Sequence, residues 1–461
     1  MTKKYLIGLI LFFSLVGCSS GDSNTTSNTE IPTYFGGLYE EQWYMEKNTE
    51  FYTKNKIDEN AHIHPDTNSY KTYQGRGVKV AIIDDGFDVN HPEIQDNIIA
   101  ASFVRGDGTV SRGKEWVTHT LSSDFHGSAV AGIIASKDDG IGIRGIAPQS
   151  NLILIKMAPS LSDSATIKLF QEAVDYGADI INCSWGSGNV SHTVREYINT
   201  ISNSGRGGKG TVVVFASGND DINIGNDEAG IENVIGVGAT DGDNLRAPYS
   251  NYGELLDIVA PGGYLDSIAT IDPLGTNGVS QDEYNRYNQR VENEDVSFIG
   301  TSASAPIVSG AIALLLEKNP NLTRLEIQEK LKSATDAVGE NTPYIFDMVA
   351  SNLQTPTISG VLGLAQYTDF EVKLTSKSNN TTYGLYEVSK SGDTLWQSQV
   401  TDTLPYGEYK IELIDTNDNN LTWAIDESFI IDSGSENRVD TTKRRSNFYG
   451  YGKINLKKLL Q

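Results

Sequence analysis

Cysteine is nearly absent from this 461-residue chain. Cys18 and Cys183 are the two it has, which excludes a disulfide framework and a cysteine-built zinc cluster. Histidine is sparse as well: six imidazoles with no His-x-x-x-His spacing argue against a zinc peptidase. Positive charge is short, with 36 Lys+Arg against 60 Asp+Glu and a net charge of −24. A chain this acidic repels phosphate backbones and anionic lipid surfaces, so nucleic acid is not an expected partner and membrane attachment needs a dedicated anchor. No internal repeat is visible. The apolar run over residues 5–16 is too short to span a bilayer comfortably and follows Lys3 and Lys4, the layout of an export signal. What remains is the composition of a folded protein, 38% hydrophobic and 9% aromatic, with 45 glycines for tight turns and close backbone approaches.

The run ends in Leu15-Val16-Gly17-Cys18, which resembles a bacterial lipobox. That resemblance implies cleavage before Cys18 and a lipid on its sulfur, so residues 1–18 are expected to be a lipoprotein signal and the protein to sit in the bacterial cell envelope. Residues 19–38, rich in Ser, Asn and Thr, read as a flexible tether. Further on, VKVAII (78–83), NLILIK (151–156), residues 180–183, TVVVF (211–215) and residues 234–237 read as buried strands. Amphipathic stretches such as residues 166–176 lie between them. Strands alternating with helices predict an α/β fold with a mostly parallel sheet covered on both faces. A buried helix is expected from Ala303 and an amphipathic one over 323–334. After about Thr355 the pattern turns to short strands between Asn, Asp, Gly and Ser turns (370–375, 382–387, 395–400, 408–415), that of an antiparallel β-module.

Three separated segments embed a reactive side chain among small or apolar residues. Ile82-Ile83-Asp84-Asp85-Gly86 places a carboxylate at the end of an apolar strand. His126-Gly127-Ser128-Ala129 opens a helix of small residues with a histidine. Gly300-Thr301-Ser302-Ala303-Ser304-Ala305-Pro306 sets a serine at a turn into a helix, where Pro306 is tolerated because first-turn N–H groups have no intrahelical partner. A serine hydroxyl is a weak nucleophile without an adjacent base, and an imidazole base needs a carboxylate to fix its tautomer and stabilise its charged form. Each segment alone is a weak signal, since strand-end aspartates usually cap turns and single histidines are usually structural. The order Asp, His, Ser is one of three known for serine hydrolases.

Together with GIRGIAP, NCSWG and FASGND, these blocks resemble the subtilisin-like serine peptidases, over roughly residues 39–341 and again at 447–461. The resemblance implies a subtilisin-like three-layer fold and hydrolysis of protein substrates. In it Asp84 orients His126, His126 is base then acid, Ser302 is the nucleophile and Asn219 donates to the oxyanion. Ser184, Trp185 and Gly186 would line the substrate. The Asp84-Asp85 pair, Asn90-His91-Pro92, Gln42-Trp43-Tyr44 and the closing Tyr449-Gly450-Tyr451-Gly452-Lys453-Ile454-Asn455 are similar to the kexin-like branch, which implies that Asp85 helps accept a basic side chain; the bland reading is that it stabilises its turn. The acidic residue that kexins carry after the Ser-Trp motif is missing from Gly186-Ser187-Gly188-Asn189. Asp220, Asp221, Asp227 and Glu228 could supply negative potential in its place, or form a solvated loop.

By the same resemblance a Ca²⁺ ion would take oxygens from Glu93, Asp139 and the carbonyl of Ile141, with Asp58 or His62 as a further ligand. Between Cys18 and Gln42 there is only the polar tether, too short for the folding prosegment usual in the superfamily, so the chain is expected to fold unaided or with a partner. About a hundred residues separate the 323–334 helix from the closing segment. The expected organisation is therefore a discontinuous peptidase domain, 39–347 and 444–461, interrupted by a β-rich module at 348–443. A weakly active scaffold serving as an envelope-anchored binding or assembly protein is the rival from another class. An esterase is disfavoured because no Gly-x-Ser-x-Gly surrounds Ser302.

Overall fold

The computed structural model describes residues 38–66, 71–119, 124–274, 278, 298–338, 446 and 448–461, and, between them, 346–350, 357–361, 370–391, 395–399, 403–405, 407–415, 422–431 and 437–438. The expected signal segment with Cys18, and residues 19–37 of the tether, lie outside these. Among the described residues nine strands precede the β-rich region: β1 (Lys79–Asp84), β2 (Ile98–Val104), β3 (Val110–Arg112), β4 (Asn151–Met157), β5 (Ile180–Cys183), β6 (Val212–Ala216), β7 (Ile235–Thr240), β8 (Ile258–Pro261) and β9 (Thr335–Asp336). Within the β-rich region lie β10 (Phe346–Ala350), β11 (Thr357–Val361), β12 (Phe370–Ser376), β13 (Thr382–Ser391), β14 (Leu395–Gln399), β15 (Gly407–Asp415), β16 (Thr422–Ile431) and β17 (Asn437–Arg438), and β18 (Lys453–Ile454) follows it.

Two sheets result. The first has the order β3-β2-β4-β1-β5-β6-β7-β8-β18-β9, parallel except for β3 and β9 at its edges. The second is antiparallel, β16-β15-β12-β13-β14-β11-β10-β17, and draws on residues 346–438 alone. The closing strand β18 returns to the first sheet, between β8 and β9. The α/β expectation with a small separate antiparallel sheet is thus met. The central strands are apolar at nearly every position because helices cover both faces.

One face of the first sheet buries Ala81, Ile83, Ile153, Ile155, Ile181, Cys183, Val213 and Phe215 against Leu169, Phe170, Ile198 and Ile201, from two helices that follow in the chain. The other face meets two helices built of small residues, α2 (His126–Ala135) and the longer helix Thr301–Lys318; Asn182, at an alternate position of β5, accepts a 2.8 Å hydrogen bond there from Ser309. The other α-helices among the described residues are α1 (Thr49–Asn55), α3 (Asp163–Asp175), α4 (His192–Gly208, its helical geometry lost at Gly205–Gly207), α6 (Arg324–Ser333) and α7 (Leu456–Leu459), with Thr301–Lys318 as α5. A capping box between Thr323 and Glu326 fixes the start of α6, as the expected 323–334 helix requires.

Small residues in α2 and α5 are a packing necessity. A Cβ on Gly132 would stand 2.7 Å from Ile271, and one on Gly310 2.5 Å from Ile146. The same closeness ties the start of α2 to the end of β1: a Cβ on Gly127 would meet the Gly86 carbonyl at 2.5 Å and the Asp84 Cβ at 2.9 Å. No helix among the described residues is long and apolar enough to cross a membrane.

Candidate active site

In the parallel register Ile83 pairs with Cys183, and Cys183 with Phe215. The next residues, Asp84, Ser184 and Ala216, therefore stand level at the carboxyl ends of β1, β5 and β6, where open parallel sheets hold their ligands. Asp84 is buried and accepts from His126 Nδ1 at 2.8 Å; the same oxygen, Oδ1, accepts the Asp85 N–H at 2.9 Å. With Nδ1–H turned to the carboxylate, Nε2 is left as the basic nitrogen. Burial alone would lower the imidazole pKa, but the charge and hydrogen bond of Asp84, with the charge of Asp85, raise it to about 9. The ring also lies against Phe298, 5.4 Å between centroids.

Ser302 is the second residue of α5. A buried chain of hydrogen bonds seats it: Ser309 donates to Asn182 (2.8 Å), Asn182 to Ser184 Oγ (3.0 Å), and Ser184 Oγ to the Ser302 carbonyl (2.9 Å). The Ser302 hydroxyl donates to the Ser184 carbonyl at 3.0 Å, and no hydrogen bond among the described residues joins it to His126. Nucleophile–base bonds are often unmade in unliganded sites and form in the substrate complex. Gly300, at φ +127°, supplies the turn into the helix.

Asn219 is exposed, and its amide has a settled orientation. Oδ1 accepts from the Thr301 N–H (2.9 Å) and the Thr301 hydroxyl (3.0 Å), whose oxygen in turn accepts from the Gly218 N–H (3.1 Å). Since a backbone N–H can only donate, the carbonyl end faces Thr301 and the NH₂ end faces outward; a Cβ on Gly300 would lie 3.2 Å from Nδ2. Such a donor, beside a helix N-terminus, can meet an oxyanion. Sequence reasoning had not singled out Thr301, though it stands inside the GTSASAP block.

Ser184, Trp185 and Gly186, the residues expected to line the substrate, follow directly on β5. Trp185 donates to the Ile83 carbonyl at 2.9 Å and packs edge-on to Phe215. Gly186 leaves room that the Asp227 carboxylate approaches: a Cβ there would lie 2.7 Å from it. Asp227 and Glu228 are not a solvated run. Both are buried, with Asp227 accepting the Gly188 N–H (2.6 Å) and Glu228 the Ser187 N–H and hydroxyl (2.9 and 3.0 Å). Burial, reinforced by the neighbouring Asp227, raises the Glu228 carboxyl. Asp220 and Asp221 are exposed, and Asp221 pairs with Arg246 at 2.8 Å. Asp85 accepts the Gly127 N–H at 3.0 Å.

The suggested calcium residues stand on neighbouring segments. Burial raises the Tyr39 phenol, and the charges of Asp138, Asp139 and Glu93 add to that, so all three carboxylates act on the same ring; carboxylate and carbonyl oxygens are the hard donors that suit Ca²⁺. Among the described residues no three His, Cys, Asp or Glu side chains gather closely enough to hold a metal by themselves, so carbonyls such as that of Ile141 would have to contribute. Two residues from the N-terminal side meet this loop: the Gln42 amide clasps both backbone groups of Arg144 at 2.8 Å, and the Tyr39 hydroxyl accepts from the Gly140 N–H. Asp58 and His62 instead pack elsewhere: the Asp58 N–H donates to Gly242, and the His62 ring lies against His64 and Tyr52.

The sequence model of the Subtilase family matches residues 75–365. A calcium-dependent protease of a Nostoc species is 30% identical over 322 residues, 65% of this chain and 47% of that protein, so the chain spans about half of that relative's length. Subtilisin Savinase of Lederbergia lenta is 32% identical over 286 residues, 61% of this chain and 91% of the relative. A solved protease structure from Pseudoalteromonas arctica superposes with a TM-score of 0.52 at 25% identity, covering 66% of this chain and 92% of its own.

Proposed function

Because the chain belongs to the subtilase family, we propose that it is a serine endopeptidase acting through Asp84, His126 and Ser302, with Asn219 as oxyanion donor. The observation that carries the reading is the buried Asp84–His126 pair at 2.8 Å beside an asparagine amide whose donor end faces outward from Thr301. Ser302 Oγ attacks the substrate carbonyl carbon while His126 Nε2 takes its proton. The carbonyl oxygen, now negative, accepts from Asn219 Nδ2 and the Ser302 N–H. His126 then gives the proton to the departing amine, and the acyl-enzyme is hydrolysed by water through the same base. Cleavage of a denatured protein by the full chain, with loss on Ser302→Ala, supports this; unchanged cleavage by that variant overturns it.

Within the family the chain leans to the kexin-like branch, on the Asp84-Asp85 pair and the closing segment 449–455. Asp85, together with the buried Asp227 behind Gly186 and Glu228 on Ser187, supports a preference for basic side chains; a peptide library led by Leu or Phe before the cleaved bond contradicts it. The return of β18 to the first sheet supports a peptidase domain of 39–347 and 444–461 interrupted by a module at 348–443. Cys18 is the proposed lipid attachment, tethering the enzyme in the bacterial envelope. A structural Ca²⁺ would be held by Glu93, Asp139 and the Ile141 carbonyl. Chelation is then expected to lower the melting temperature, and added calcium to restore it; no change on chelation removes the ion from the account.

A further inference from the structure

Asp84 and Asp85, consecutive at the end of β1, hold two consecutive residues at the start of α2. Asp84 Oδ1 takes the ring of His126 at 2.8 Å, and Asp85 Oδ1 takes the N–H of Gly127 at 3.0 Å. Helix α2 has no cap of its own: Phe125 at the N-cap makes no side-chain bond, and its first turn carries no acidic residue. The negative group that an N-terminus favours comes instead from Asp85, outside the helix. The fit is tight, because Gly127 has no room for a Cβ against Asp84 and Gly86.

We propose that Asp85 is a positioning residue for His126: its carboxylate anchors the first turn of α2 and, as a second negative charge beside the imidazole, sets the pH above which His126 serves as base. The inference rests on the reading of His126 as the general base. The charged groups facing Asp85 are Asp84 on its own strand, His126 on α2 and Asp124 just before it. Asp124 is paired at 3.2 Å with Lys156 of β4, and the His119 ring borders Gly86 beside it. Burial and then the Asp84 charge push the Asp85 carboxyl up to about 7, against the Gly127 N–H and His126, while its negative charge favours the imidazolium. Near neutrality the two groups therefore compete for protons, and the acid limb of the rate profile belongs to the couple.

Asp85→Asn keeps an oxygen for Gly127 and removes the charge; Asp85→Ala removes both. The pH profile of kcat/KM is measured for each with two peptides, one carrying Ala and one Lys next to the residue whose bond is cleaved. For Asp85→Asn the acid limb is expected to move down by about 0.5–1 pH unit with both peptides. Asp85→Ala is expected to move it likewise and, in addition, to lower the plateau kcat at least ~3-fold below that of Asp85→Asn. Titration of the His126 ring by NMR in the Ser302→Ala background reads the same shift without catalysis, and so covers a variant too weakly active to profile. A limb and a ring titration that stay in place overturn the inference. So does an effect confined to KM for the Lys peptide, which makes Asp85 a substrate contact alone. Residual activity of Ser302→Ala itself would instead overturn the serine-peptidase reading and leave the ring titration to decide the Asp85 question.

Discussion

Asn219→Ala removes a side-chain donor whose direction the surrounding hydrogen bonds dictate. Thr301 occupies the carbonyl end twice, at 2.9 and 3.0 Å, so the NH₂ end is held ready before substrate arrives and no reorganisation is needed when charge develops. A donor aimed at a developing oxyanion contributes about 3–4 kcal/mol, the size known for this donor in subtilisin, so kcat is expected to fall ~10²–10³-fold with KM little changed. The Thr301 hydroxyl, bonded to Asn219 Oδ1, gives a graded control. Thr301→Val takes away one of the two bonds to Oδ1 and the acceptor for Gly218 but leaves the Thr301 N–H in place, and a net hydrogen bond of about 1 kcal/mol predicts a ~5-fold fall in kcat. Steady-state kinetics on a chromogenic peptide separate kcat from KM, and circular dichroism confirms that each variant folds. If Asn219→Ala keeps kcat within ~3-fold of the parent, or loses activity through KM, the oxyanion assignment is wrong.

Other perturbations probe the scaffold. Gly127→Ala forces a Cβ into the Gly86 carbonyl and Asp84, so α2 must shift from β1; a melting temperature and kcat both equal to the parent's would contradict the packing described. Lys453, fully buried with its amine on the Asn60 carbonyl and 2.6 Å from Asn244, has its pKa lowered to about 7 by burial, partly offset by Asp336 and Asp58. The unfolded chain binds this proton more readily between pH 7 and its ordinary value near 10.5, so the parent's stability relative to Lys453→Met is expected to rise with pH across that window. A melting-temperature difference that stays flat from pH 7 to about 10 sinks that reasoning.

The central strands were legible because residues such as those of VKVAII and TVVVF are apolar on both faces, which only a doubly covered sheet explains. Asp84, His126 and Ser302 were legible because polar groups among small residues stand out. Strands such as Ile98–Val104, broken by Ala and Ser, and the short Ile258–Pro261 escaped that pattern. What sequence alone could not give was pairing between distant side chains: Thr301 on Asn219, Gln42 on Arg144, Asp85 on Gly127, Asp227 behind Gly186. These bonds depend on where helices start and loops cross, which local spacing does not encode. For the same reason His62, suggested by position as a calcium ligand, packs instead against His64.

Ser302 owes its proposed nucleophilicity to the imidazole that Asp84 holds. The most direct measurement is labelling of the full chain with a fluorophosphonate, followed by peptide mass mapping. One adduct on Ser302, lost in Ser302→Ala and strongly slowed in His126→Ala, is the result predicted. Labelling at another serine, or at Ser302 with undiminished rate in the absence of His126, would contradict it.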